Sequence, residues 1–391
     1  MKDQHFAIVG AGIGGLAAGL ALQREGFRVS IYEQAPQLAE VGAGLSLSPT
    51  AAHALNHLGL APVLAAKAYQ PEDQCVRHFK DASPLVWINR GQSLVERYGE
   101  RYYLIHRADL HDGLKDAVLA NDPDCIHLNQ RCRALTQDER GVAVEFADGT
   151  SVKADVLIGA DGSRSSVRHE LFGSIEPQYT GYIAWRGLVP MERVPQEILQ
   201  PPSGIFLGNG HLVNRYPVRN GQLLNFVAFA EREAWSAEGW SIRSTVDELL
   251  QEFTGWTPWV LRFMELVPPE LLFKWGLFDH EPLESWTRGR VGLLGDAAHP
   301  VLPFLGHGAV LAIEDGVVLA RAFAASNTAV EAFSRYEAAR MERAAFVVHE
   351  SRKAGKQFHA PDANTYRERS GNKAADEGIG LFDYNPVTQP V

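Results

Sequence analysis

The residues best placed to do chemistry are glycines and acids at fixed spacing near the start of the chain. Gly10-x-Gly12-x-x-Gly15, with Gly14 inside the same turn, follows an apolar run over residues 6–9 and precedes a Leu/Ala-rich stretch over residues 16–23. Gly10 permits a sharp reversal, Gly12 lets backbone approach a pyrophosphate, and Gly15 lets the next helix pack close on the strand. The phosphates then meet a helix N-terminus, where N–H groups and the helix dipole favour anions. Glu33, with Gln34 beside it, falls roughly 20 residues on, at the end of a second apolar strand, where a carboxylate can accept from a ribose 2′-OH. Strand, turn, helix, strand and acid in that order predict a site for an adenine dinucleotide.

Two more acids follow glycine-bearing turns. The buried run Ala154-Asp-Val-Leu-Ile-Gly159 leads into Ala-Asp161-Gly162 and a Ser/Arg-rich helix start, and Arg290-Val-Gly-Leu-Leu leads into Gly295-Asp296. Either acid can meet a cofactor hydroxyl, and either can cap the helix that follows it.

These turns must be held by buried strands and their crossover helices, which predicts an α/β, Rossmann-like domain assembled from separated segments: residues 1–74, 101–180 and 287–325. The intervening residues 75–100 and 181–286 alternate in period two and are rich in aromatics, which predicts an α+β second domain built on an antiparallel sheet, with a helix near residues 244–253. An Asp148-Gly149 dipeptide marks a hairpin turn. Residues 326–391 read as a C-terminal helical segment followed by a tail expected at the surface.

Length and composition narrow the functional classes. A chain of 391 residues, 46% hydrophobic and 21% charged, has material for two domains around ample core. A net charge of −10 offers no basic surface, which argues against nucleic acid as a partner. Three scattered cysteines form no C-x-x-C pair, so no thiolate zinc cluster or other metal site is expected, nor the Cys pair of a flavin disulfide reductase, whose place is taken by Gly42-Ala-Gly44-Leu-Ser. No apolar run approaches the ~18 residues of a membrane span, and the first strand begins almost at once, so the protein is expected to be cytoplasmic.

The three motifs together, Gly10-x-Gly12-x-x-Gly15 with Glu33, then Asp161-Gly162, then Gly295-Asp296, resemble the single-component FAD-dependent aromatic hydroxylases over nearly the whole chain. The resemblance is strongest to the subgroup of salicylate hydroxylase, 3-hydroxybenzoate 6-hydroxylase and 6-hydroxynicotinate 3-monooxygenase. It implies FAD as cofactor, NADH or NADPH as cosubstrate, O2, and hydroxylation of a small hydroxylated aromatic or heteroaromatic acid through a C4a-hydroperoxyflavin. By that likeness Asp296 meets ribityl or ribose hydroxyls, Asp161-Gly162 serves the pyrophosphate region and the passing NAD(P)H, and Arg107 binds FAD through its guanidinium fork. Arg107 is equally suited to a surface ion pair.

Attack on an aromatic ring is helped by a base that deprotonates a ring hydroxyl, and histidine, with an ordinary pKa of about 6.5, suits that task. Of 14 histidines, the resemblance singles out His211, shortly before Tyr216-Pro217, with Tyr216 as a pocket hydroxyl. The interval to Tyr216 is one residue longer than in the 3-hydroxybenzoate enzyme. His307 stands where the family usually has the Gln of Gly-Gln-Gly, and the backbone N–H groups of Gly308, Ala309 and Val310 after it are suited to the flavin pyrimidine oxygens. Ser46 replaces a histidine proposed to be catalytic in the hydroxynicotinate enzyme, which argues against that substrate. Arg186 is a candidate for a substrate carboxylate or an internal ion pair, and His299 is expected to shape its turn. Three other readings compete: a related flavoenzyme acting on a purine or a larger natural product, a flavin-binding protein without turnover, and a colourless NAD-dependent dehydrogenase. Aromatics in the second domain suit a homodimer.

Overall fold

The computed structural model describes residues 3–38, 43–235, 242–366 and 378–391; Gly42 of the glycine-rich crossing lies outside them. Phe6, Ala7, Ile8 and Val9 are buried, as expected of a parallel strand covered on both faces. The strand His5–Val9 pairs in parallel with Arg28–Tyr32 on one side and Val156–Gly159 on the other. Val156–Gly159 pairs in turn with Val291–Leu293. Three segments far apart in sequence therefore lie side by side, and Gly10, Asp161 and Gly295 all follow the carboxyl ends of adjacent strands, where doubly wound sheets bind ligands. The helices Ile13–Arg24 and Gly308–Ala324 pack against this sheet through apolar faces.

The second sheet has eight strands in the order Ile242–Arg243, Phe273–Asp279, Gln178–Pro190, Leu223–Glu231, His211–Val218, Gly204–Gly208, Asp73–His78, Pro84–Asn89. It departs from the expected all-antiparallel arrangement at one junction, where Gly204–Gly208 runs parallel to Asp73–His78. Those two strands come from different stretches of chain, so no hairpin dictates their sense. One face of the sheet, with Trp185, Phe206, Val213 and Phe226, is covered by the helices Val246–Glu252 and Pro258–Glu265. Its other face, with Leu207, Leu212, Phe229 and Trp275, meets Leu302 and Phe304 of the loop leading into Gly308–Ala324. A two-stranded ribbon, Gly44–Leu47 with Tyr103–His106, joins the two halves and feeds the helix Arg107–Asn121.

The long helix Ala329–Phe358 is followed by a tail that is not superficial: Leu381 and Phe382 are buried among Tyr102, Leu104 and Leu311. Among the described residues, no helix is long and apolar enough to cross a membrane.

Candidate flavin and substrate site

The glycine turn is shaped by close approach. A side chain at Gly15 would run into the Gly10 carbonyl oxygen, whereas nothing lies within 4 Å of where one would begin at Gly12, leaving that backbone open. Gly14 faces Leu294 and Ala312 instead, joining the turn to the Gly308–Ala324 helix. Glu33 accepts from Ala11 N–H (2.8 Å) and Ala35 N–H (2.9 Å), which aligns its carboxylate along the turn, and Gln34 beside it is exposed. His111, unnoticed in the sequence, donates from Nε2 to the Ala11 carbonyl (2.7 Å) and fixes the turn to the Arg107–Asn121 helix. Its signal was its position one helical turn beyond Arg107.

The two later acids behave differently. Asp161 accepts from Ser165 Oγ (2.5 Å) and from the N–H groups of Ser166 (2.7 Å) and Val167 (3.2 Å), so it caps the Ser166–Phe172 helix. Burial raises its carboxyl above the usual range despite those donors. Gly162 follows in a left-handed conformation, φ +79°. Asp296 caps no helix: it is solvent-accessible in the single turn Gly295–Ala297 and lines a cavity of about 790 Å³ with Ser163, Arg164, Arg168, His280 and Pro300. Ringed by protein, its carboxyl is pushed up by desolvation, which the charges of His299, Arg107 and Arg168 oppose. Arg107 thus brings its charge to bear on Asp296 across the fold.

Two groups that sequence reasoning missed hold these turns. Arg168 donates to the carbonyls of Ser163 (2.5 Å) and Ala297 (3.1 Å), tying the Asp161-Gly162 segment to the Gly295-Asp296 turn. Behind that turn lies a fully buried ionic cluster. Gly295 N–H (2.9 Å) and His299 Nε2 (2.6 Å) both donate to Asp315 Oδ2, and Arg340 Nε donates to Oδ1 (2.8 Å). Arg340 also pairs with Glu314 (2.8 Å), which Arg343 approaches from the other side (3.4 Å). Burial works against ionisation of Asp315, but His299 and Arg340 hold its carboxyl down to about 2. The signal in sequence was the acid pair Glu314-Asp315 inside an otherwise apolar helix, since buried charges demand partners.

On the substrate side, strand alternation decides. His211 and Tyr216 are five residues apart, so they project to opposite faces of His211–Val218. His211 lies on the helix-covered face, bonded to Glu252 (2.8 Å) with its ring against Phe253 and Trp256. Tyr216 lies on the loop side with Leu212 and Asn214; its hydroxyl has no hydrogen-bond partner among the described residues, and burial pushes the phenol well above its ordinary pKa. Arg186 shares that face, its guanidinium 5.3 Å from the Trp275 ring. His307 is buried, donates from Nδ1 to the Leu305 carbonyl (2.7 Å) and stacks on Phe382. His299 sits in the ionic cluster just described. The histidine placed against Phe304 and Tyr182 is His359, overlooked in the sequence and kept neutral by burial, which lowers it to about 4. Gly308 and Ala309 are partly exposed at the start of their helix.

A family profile described as an FAD binding domain matches residues 3–351. The chain belongs to this FAD-binding family. Its relatives include 3-amino-4-hydroxybenzoate 2-monooxygenase of Streptomyces platensis, 39% identical over 382 residues and covering 97% of this chain and 94% of that enzyme. Another is 6-hydroxynicotinate 3-monooxygenase of Pseudomonas fluorescens, 35% identical over 351 residues, covering 88% of this chain and 90% of that one. Among solved structures, HpxO of Klebsiella pneumoniae, complexed with FAD and uric acid, superposes with a TM-score of 0.88 at 30% identity over 99% of this chain and 97% of that one. This member of the family is an NAD(P)H-dependent flavoprotein aromatic monooxygenase, and its cofactor is FAD. Its residues fit that group: the backbone at Gly12 is open, and the Asp296 carboxylate is exposed to the cavity.

Proposed function

We propose that the protein uses NAD(P)H and O2 to hydroxylate a small hydroxylated aromatic or heteroaromatic acid on the loop side of the eight-stranded sheet. The observation that carries this reading is the placement of Tyr216 on the sheet face it shares with Leu212, Phe229 and Trp275, in a cluster against which Val301 and Leu305 of the loop entering the flavin-side helix pack. FAD, when bound, supplies the electron transfer and oxygen activation that no side chain can.

The chain's own contribution is to bind, orient and exclude water. Glu33 and Gln34 face the adenosine ribose, the Gly10 to Gly15 turn and Arg107 hold the diphosphate, Asp161-Gly162 flanks it, and Gly295-Asp296 takes the ribityl hydroxyls. The N–H groups of Gly308, Ala309 and Val310 take the pyrimidine oxygens. Tyr216, kept protonated by burial, donates to the substrate's ring oxygen rather than removing a proton. His211 takes no part in this arrangement, and His307 acts as a loop-shaping group rather than a base. Arg131, Arg133 and Arg164 around the cavity suit the diphosphate of NAD(P)H. Trp87, 54% exposed on the outermost strand, supports self-association into a homodimer, which light scattering of wild type against Trp87→Arg would read.

A purine substrate is the second reading, favoured by the likeness to the uric acid complex of HpxO. NADH and NADPH oxidation would be followed with hydroxybenzoates, amino-hydroxybenzoates, hydroxypyridine carboxylates and urate, with product analysis. Stimulation and a hydroxylated product with one aromatic acid support the first reading. Turnover of urate alone supports the second, and flavin that no ligand stimulates would sink both.

A further inference from the structure

Residues 378–391 return to the flavin side of the molecule and are gripped by arginines of the two long helices. Arg321 donates to the carbonyls of Pro386 and Gln389 (2.8 Å each), and Arg335 to that of Val391 (3.2 Å). Arg343 donates to the Leu381 carbonyl (2.9 Å). Tyr384 lies under Arg340 and Arg343, with guanidinium carbons 4.9 and 5.1 Å from its ring centroid. These are the arginines of the buried cluster behind Gly295.

Phe382, next to the fully buried Leu381, is the aromatic side chain that the grip drives inward. It is 3% exposed, with Arg90 5.6 Å from its ring centroid and Tyr98 against its edge. Its ring runs nearly parallel to that of His307, 13° off at 6.2 Å. His307 is the residue from which the helix Gly308–Ala324 starts, and its Nδ1–H closes the turn at Leu305. On the other side of the same loop, Ser46 Oγ reaches the Gly306 carbonyl at 3.4 Å. The loop is therefore pinned in front by the ribbon strand and behind by the tail.

We propose that Phe382 is a positioning residue for the flavin: by stacking on His307 it fixes the start of the Gly308–Ala324 helix, and with it the N–H groups that face the flavin pyrimidine ring. This rests on the assignment of Gly308, Ala309 and Val310 to that ring. Helix-terminal N–H groups aimed at the pyrimidine stabilise its reduced, anionic form, so their displacement lowers the reduction potential of the bound flavin. A side chain that only filled space would leave the potential unchanged.

The test uses the full-length holoenzyme, with the FAD dissociation constant read by flavin fluorescence and the reduction potential by dye equilibration, both without aromatic ligand. Phe382→Leu keeps the site apolar while removing the stack, and should weaken FAD binding roughly three- to tenfold and make the potential more negative. In a His307→Ala background the same change should have no further effect. Ala309→Pro, tolerated in a first helical turn, removes one N–H and should lower the potential independently. If Ala309→Pro lowers the potential and Phe382→Leu does not, this inference is overturned and the helix assignment stands. Should neither variant move it, the helix assignment falls and this inference with it. An undiminished effect of Phe382→Leu without the His307 ring would also overturn it.

Discussion

Asp161 and Asp296 occupy similar turns, yet their carboxylates are engaged differently. Asp161 is occupied by three donors of its own helix, whereas Asp296 faces the cavity. Replacing Asp296 by Ala should weaken FAD binding roughly ten- to hundredfold, the range of a charge-assisted hydrogen bond. Protein that purifies fully yellow with a wild-type dissociation constant would refute the assignment. Tyr216→Phe should lower hydroxylated product per NAD(P)H oxidised while leaving FAD binding alone. His211→Ala should keep that ratio and cost about 1 kcal/mol in urea unfolding, because Glu252 retains Arg232. A fall in product yield for His211→Ala would return it to the pocket. The close packing at Gly10 and Gly15 and the open backbone at Gly12 were legible because the glycine spacing itself dictates them. The histidine was not: a single extra residue before Tyr216 reverses the face of the strand, and resemblance counts neighbours without counting faces.

At the level of elements, the Gly295 turn is held by the buried charges of Asp315 and Arg340 together with His299. The Asp315 carboxyl is held at about 2 against an ordinary 3.8, so its contribution to stability is complete above the ordinary value and is lost as pH falls toward 2. Wild type should therefore lose on the order of 2 kcal/mol more than Asp315→Asn between those limits. Parallel pH–stability curves for the two proteins would show that the cluster does not hold the carboxyl down. Arg168→Met should loosen both turns at once, lowering FAD retention together with stability by about 2 kcal/mol. The helix carrying Glu314 and Asp315 was legible in its apolar periodicity. Its partners were not, because Arg340 and Arg343 arrive from a helix whose polar composition reads as solvated, and only tertiary packing buries Arg340 and half-buries Arg343.

Across the whole molecule, the interleaving of the two sheets was visible in the alternation of apolar runs and period-two stretches. The parallel junction between Gly204–Gly208 and Asp73–His78 was not, since strand sense is set by neighbours rather than by residue type. The tail was misread for a related reason: its Pro and Asn content is that of a surface loop, and burial falls on Leu381, Phe382 and Pro386 among neighbours that keep some exposure. The sheet order also bears on synthesis. Val291–Leu293 lies beside Val156–Gly159, and Asp315 and Arg340 fix the turn that follows. A nascent polypeptide leaving the ribosome therefore holds an open, unpaired sheet edge until most of its length has emerged. FAD meets a finished chain: abundant vitamin in the culture should raise the yield of folded protein by trapping the native state, while doing nothing for a fragment that stops short of Asp296.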